Sequence, residues 1–297
     1  MKKTFSSKKS AFSLIELSIV LIIIGLLIAG ITGGASLIKN SELRSAISEA
    51  RGYQVAVNGF YSLYNQLPGD YNKGIGGSNI YAGPSTGQGE NGKIQYFASD
   101  VQGTYCYTTN SNSTLVACNS ESIAAWRQLI VTGTIDSTLG LSYTKIETAQ
   151  VPGTNMPASK IKFAGWHFDY RNMVGSSGDY TKDTEALAMV QEGGSYSPQN
   201  VVVLTGTTTG SGGDATATLV NGTTNLAAAS LTGSDALTID TKVDDSKANT
   251  GKVRGVNPGA SSTTCYTAST GSAADYIITS ATTKVCALSF QVDPKSS

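Results

Sequence analysis

Histidine is almost missing from this chain: His167 is the one copy in 297 residues. A Ser/His/Asp hydrolytic centre would rest wholly on that residue. It lies in the aromatic string KFAGWHFDYR, where packing accounts for it. The cysteines at 106, 118, 265 and 286 come without the close CxxC-type clusters that structural zinc needs. A Gly-rich stretch, GIGGSNIYAGPSTGQGENGK, contains no GxxxxGK[ST] phosphate loop and reads as a connection. No internal repeat suggests a solenoid. Charge is also sparse, at 14% of residues, and unevenly placed. Lys2, Lys3, Lys8 and Lys9 precede Ala11, and no acidic residue does. Taking those four from the 21 basic residues leaves 17 against 21 acidic ones. A body of that sign has no electrostatic case for binding nucleic acid.

What the chain has instead is a long stretch without charge. None occurs from Leu17 to Ile38, longer than the roughly 18 apolar residues that mark a transmembrane helix. The lysines before it mark the cytoplasmic side, so the remainder is expected to be exported. A cleaved secretory signal fits poorly, because its apolar region runs to about 7–15 residues. One residue is out of place. Glu16 lies at the head of the apolar segment, and a carboxylate at mid-membrane costs roughly 2.5–3.5 kcal/mol on insertion scales.

The string Ala11-Phe12-Ser13-Leu14-Ile15-Glu16 behind a basic leader resembles the processing site of type IV prepilins and type II secretion pseudopilins. The resemblance implies cleavage by a prepilin peptidase between Ala11 and Phe12, with N-methylation of Phe12. Alanine stands where the family usually has glycine. Glu16 then becomes the fifth residue of the mature chain, where the family carries a glutamate that meets the N-terminal amine of a neighbouring subunit. That pairing accounts for the charge, since a buried ion persists only when partnered. A carboxylate that merely snorkels from a one-pass anchor is the blander reading of Glu16.

Beyond the apolar run, SELRSAISEARGYQVAVNGFYSLYNQ places Leu43, Ile47, Ala50, Val57, Tyr61 and Tyr64 at spacings of three, four and seven. That is an amphipathic stripe, with Glu42, Arg44, Glu49 and Arg51 largely off it. One helix is expected over 12–65, about 75–80 Å long, transmembrane over about 12–38 and closed by LPGDY at 67–71. Gly33-Gly34 sits where the family often has proline. The rest, 66–297, reads as an exported domain of short strands at 93–98, 103–108, 115–118, 161–170, 201–205, 217–220, 276–279 and 285–292. Two short helices interrupt them. One lies in NSESIAAWRQLIVTG, with Ile123, Trp126, Leu129 and Ile130 inward and Gly133 closing it; the other lies in SDALTIDTKVDD, with Ser234 as cap. The predicted fold class is α+β and pilin-like: a long N-terminal helix packed on a C-terminal antiparallel sheet, with short extra helices.

Four cysteines allow three pairings. In an oxidising compartment the local one is expected, Cys106 with Cys118 and Cys265 with Cys286, each flanking an apparent hairpin. Asp240, Asp244 and Asp245 form the densest carboxylate set. Clustered carboxylates suit calcium, and resemblance to pseudopilins that bind calcium in a C-terminal loop points the same way. Lys242 and Lys247 nearby support a plain solvated turn instead. No other cofactor is expected, and no enzymatic activity. The reading is a structural subunit of a type IV pilus-like filament, with a type II secretion pseudopilin as the alternative. A membrane-anchored periplasmic binding domain that does not polymerise is the third choice. The resemblance further implies, as partners, other pilins, an inner-membrane assembly platform and an assembly ATPase. It places the chain in the inner membrane first, then in a filament at the cell surface or in the periplasm.

Overall fold

The computed structural model describes residues 13–71, 73, 75, 92–94, 121–136, 152–153, 156–171, 199–206, 228–257, 264–266, 273–279 and 282–293. The strands expected at 103–108, 115–118 and 217–220 lie outside the described residues, as does most of 93–98. Helix α1 spans Leu14–Tyr64, α2 Glu121–Val131 and α3 Gly233–Val243. The strands are β1 (Ala164–Arg171), β2 (Gln199–Gly206), β3 (Val253–Val256) and β4 (Ala287–Gln291). They form one sheet of order β1-β2-β4-β3 with every neighbouring pair antiparallel. The architecture is α+β and pilin-like. Contacts divide the chain into two units, Met1–Leu43 and Arg44–Ser297.

In the first unit, α1 is apolar on every side. Leu14, Ile15, Leu21, Ile22, Leu26, Ile31 and Leu37 are all more than half exposed. The glycines at 25, 30, 33 and 34 have nothing near the position of a Cβ, and the helix continues through Gly33-Gly34. An all-round apolar helix buries nothing by itself and needs lipid or other helices around it. Among the described residues it is the one helix long and apolar enough to cross a membrane.

The second unit is built on the sheet. The pleat sends Trp166, Phe168, Val202, Leu204, Leu288 and Phe290 to one face, as the registers Trp166↔Leu204↔Leu288 and Phe168↔Val202↔Phe290 require. Against that face pack α2 and the second half of α1. Trp126 of α2 lies 4.2 Å from Phe168 between ring centroids, and Tyr53 of α1 meets Trp126 at 4.9 Å and Trp166 at 5.6 Å. The buried side of α1 in this unit comprises Ala46, Ile47, Ala50, Ala56, Val57 and Phe60. This corrects the expected stripe: Phe60 is fully buried, whereas Tyr61 and Tyr64 remain partly exposed. The other face of the sheet carries His167, Val203, Ser289 and Arg254 in register, all buried.

Asn65 takes a left-handed conformation, φ +55°, and stops α1 just before Pro68. The LPGDY turn is held to α2 by Gln128, whose amide oxygen accepts from the Gly69 N–H at 2.7 Å and whose amide nitrogen donates to the Tyr71 carbonyl at 2.8 Å. Gly69 has φ +87°, and a Cβ there would collide with the Glu121 carbonyl, so the turn needs glycine.

Three expectations are corrected. β1 begins at Ala164, not 161, because Phe163 is left-handed (φ +61°) and breaks the extended run. Around Tyr276 there is only an isolated bridge to Tyr266, not a strand over 276–279. α3 is capped by Thr232 rather than Ser234. The Thr232 hydroxyl accepts from the Asp235 N–H at 3.2 Å and donates to the Asp235 carboxylate at 2.7 Å, so the cap and the third residue brace each other.

Candidate functional sites

The first site is the start of α1. Helix N-termini leave backbone N–H groups without intrahelical acceptors. Glu16 answers one of them: its carboxylate accepts from the Ser13 N–H at 2.9 Å. Ser13 and Glu16 thus stand at the spacing of a capping box, with the negative charge at the favourable end of the helix dipole. Glu16 is the acidic residue of the first turn and is exposed. After it the next charged residue is Lys39. Ala11 and Phe12, the residues on either side of the expected cut, lie outside the described residues.

The second site is the loop that follows α3. The structure brings Asp240, Asp244 and Asp245 together, with one oxygen of each within 4.8 Å of the others. Local sequence explains why. Asp240 is on the last turn of α3, and Asp244 is its C-cap, with its N–H donating to the Asp240 carbonyl at 2.7 Å. The chain then folds back through Ser246, at φ +66°. Each carboxylate already receives hydrogen bonds from the protein. Asp240 is fully buried and accepts from the Tyr276 hydroxyl at 2.8 Å and the Ser246 N–H at 3.3 Å. Asp244 accepts from the N–H groups of Lys252 and Val253. Asp245 accepts from the Lys247 N–H at 2.9 Å and from the Thr250 hydroxyl. Gly251, at φ +76°, lets the backbone pass over Asp244, where any Cβ would overlap the carboxylate.

Burial pushes the Asp240 carboxyl up to about 7; the Tyr276 and Ser246 hydrogen bonds oppose this, while Asp245 and Asp244 add to it. The same burial, with the nearby Asp240 charge, pushes the Tyr276 hydroxyl upward. Lys247 pairs with Asp275 at 2.7 Å on the surface. A hard cation takes six to eight oxygens. The three aspartates supply a beginning of such a shell, and an ion there would compete with Tyr276 and the loop amides for the same oxygens.

The sequence gives Glu49 no role beyond a place largely off the helical stripe. Its carboxylate accepts from the Trp166 indole N–H and the Ser159 hydroxyl, each at 2.8 Å, and from the Lys160 N–H at 3.0 Å. It fastens α1 to the turn before β1. The signal was faint: Glu49 neighbours the buried Ala50, and an edge position can turn either way. His167, the solitary histidine, is buried in β1, and burial lowers its pKa to about 3, so it stays neutral at physiological pH.

Cys265 and Cys286 are bonded, with Cα atoms 4.7 Å apart. The bridge ties the segment before the Tyr266↔Tyr276 contact to the entry of β4. Cys106 and Cys118 lie outside the described residues.

Residues 6–32 match the family model of the prokaryotic N-terminal methylation motif. This is the prepilin-type cleavage and methylation signature of type IV pilins and pseudopilins, a signature of structural subunits rather than of enzymes. No curated protein and no solved structure matches the chain.

Proposed function

We propose that this chain is a structural subunit of a type IV pilus-like filament. A prepilin peptidase removes residues 1–11, and the new N-terminal Phe12 is methylated. The subunit waits in the inner membrane on α1, with its body on the periplasmic side. An assembly platform and its ATPase then stack subunits through α1, joined by other pilins. The observation that carries this reading is Glu16: the charge at the head of an all-round exposed apolar helix, inside the matched motif. In the monomer it caps its own helix. In the filament it faces the amine of a neighbour's Phe12, which cleavage creates. A type II secretion pseudopilin would use the same contact in a shorter fibre, and filament length separates the two. An anchor that never polymerises gains from Glu16 only the cap on its own helix.

The test is Glu16→Ala. Membrane insertion and cleavage should persist, because removing a charge makes an apolar segment easier to insert. Filament yield should collapse, since a neighbour's buried, unpaired amine costs on the order of 3–5 kcal/mol at each joint. Sheared or secretion-linked filament yield is measured beside membrane-bound subunit and its N-terminal mass. Normal filaments from Glu16→Ala would defeat the pairing role. An intact Met1 terminus on the wild-type chain would defeat processing at Ala11.

For the loop after α3 the proposal is calcium, held by Asp240, Asp244 and Asp245. Support comes from the convergence of the three carboxylates and the hard-oxygen chemistry they offer. Calcium at millimolar level should raise the Tm of the full chain, and chelator should reverse the rise. A Tm indifferent to both removes the ion from the account.

A further inference from the structure

Among the described residues of the body, the exposed large apolar side chains are Val55, Leu63, Phe163 and Ile278. Phe163 is the aromatic one, 65% exposed, and it adopts a left-handed φ of +61°. A bulky residue rarely takes that conformation, which glycine or asparagine would occupy without strain. The turn holding it is otherwise well braced. The Ser159 N–H donates to the Ala164 carbonyl at 3.0 Å, the Ala164 N–H to the Ile161 carbonyl at 3.2 Å, and Ile161 is buried. Glu49 accepts from Ser159 and from the Lys160 N–H. So the core does not need a phenylalanine at 163.

One cation lies over that ring and a second reaches the same turn. The Lys162 ammonium lies 4.9 Å from its centroid. The Lys284 ammonium donates to the Lys162 carbonyl at 3.0 Å. Lys160, Lys162 and Lys284 are all exposed, and Glu49, which holds the turn, spends its carboxylate on the Ser159 hydroxyl, the Lys160 backbone N–H and the Trp166 indole. An exposed aromatic ring among lysines is the chemistry of an anionic lipid interface, where the ring enters the headgroup layer and the ammonium groups meet phosphates. Lys39, the first charge after the apolar run, is ten positions from Glu49, which holds the turn.

We propose that the turn bearing Lys160, Lys162 and Phe163, with Lys284 beside it, is a docking surface for anionic phospholipid headgroups of the membrane that anchors the unassembled subunit. It rests on the reading of α1 as a membrane anchor. Docking would hold the body against the bilayer, and extraction into a filament would break it.

The full chain, reconstituted in vesicles of zwitterionic lipid alone or mixed with phosphatidylglycerol, carries the test. Phe163→Trp supplies the probe, read as its emission minus that of the wild-type chain with Trp126 and Trp166. In phosphatidylglycerol vesicles the added emission should shift to the blue and be quenched by lipids brominated in the upper acyl chain. Raised salt, or Lys160→Gln with Lys162→Gln and Lys284→Gln, should abolish both effects while the chain still floats with the vesicles. Iodide-accessible emission identical in both vesicle types would overturn the docking surface and leave the anchor intact. Quenching that follows protein concentration and ignores lipid charge would overturn it in favour of a second copy. Failure of the wild-type chain to float with vesicles would overturn the anchor and the docking surface together.

Discussion

Asp240 shows how one buried carboxyl ties stability to pH. Its folded pKa of about 7 lies above the ordinary 3.8, so the folded state binds the proton more tightly than the unfolded chain. Stability from this group is complete below about pH 4 and is lost as pH rises through about 7. His167 acts oppositely: its pKa, lowered to about 3, erodes stability as pH falls below about 6.5. The difference between wild type and Asp240→Asn isolates the aspartate. With chelator present, Asp240→Asn should be the more stable at pH 8, by on the order of 2–4 kcal/mol, and the gap should close toward pH 4. Urea denaturation at both pH values measures it, and a gap that does not depend on pH rejects the assignment. An asparagine keeps the geometry, since its oxygen can accept from Ser246 and its amide can donate to Tyr276. The sequence made the aspartate cluster legible through spacing alone. It could not reveal that Asp240 is buried, because that depends on Tyr276, 36 positions away. The role of Glu49 stayed hidden for a related reason: its partners Ser159, Lys160 and Trp166 lie more than a hundred positions along the chain.

At the scale of elements, legibility followed apolar periodicity. β2, β4 and α2 carry continuous or well-phased apolar residues and were found within a few positions. β3 was missed. Its four residues, VRGV, hold one arginine and one glycine, so no alternation marks them, and pairing with β4 creates the strand. The cap of α3 moved from Ser234 to Thr232 because the Thr232–Asp235 pair competes better than a lone serine. The Cys265–Cys286 bridge closes a separation of 21 residues between an isolated bridge and β4. Replacing both cysteines by serine should lower stability by about 3 kcal/mol in the chain-entropy model, measured by chemical denaturation. An unchanged midpoint would show that β3, β4 and α3 hold this end without it. Non-reducing peptide mapping of the same sample reads whether Cys106 is joined to Cys118.

At the scale of the molecule, the boundary between units differs from the boundary of the helix. The sequence reading began the exported domain at 66, where α1 ends, yet the second unit begins at Arg44. The stretch 44–64 supplies Ala46, Ile47, Ala50, Ala56, Val57 and Phe60 to the core, and truncating a large one such as Ile47 or Phe60 to alanine costs about 2–5 kcal/mol. A fragment 44–297 should therefore fold cooperatively, whereas 66–297 should not; thermal melts and limited proteolysis of the two decide it. Equal stability would mean that α1 only rests on the sheet. The seating of α1 also leaves an optical signature. Tyr53 is the one α1 ring that touches both Trp126 and Trp166, and Glu49 one turn earlier holds the indole N–H of Trp166. Both tryptophans thus sense the same turn of the same helix. Native fluorescence becomes a built-in gauge of helix seating, able to follow its release from the sheet in an unlabelled chain.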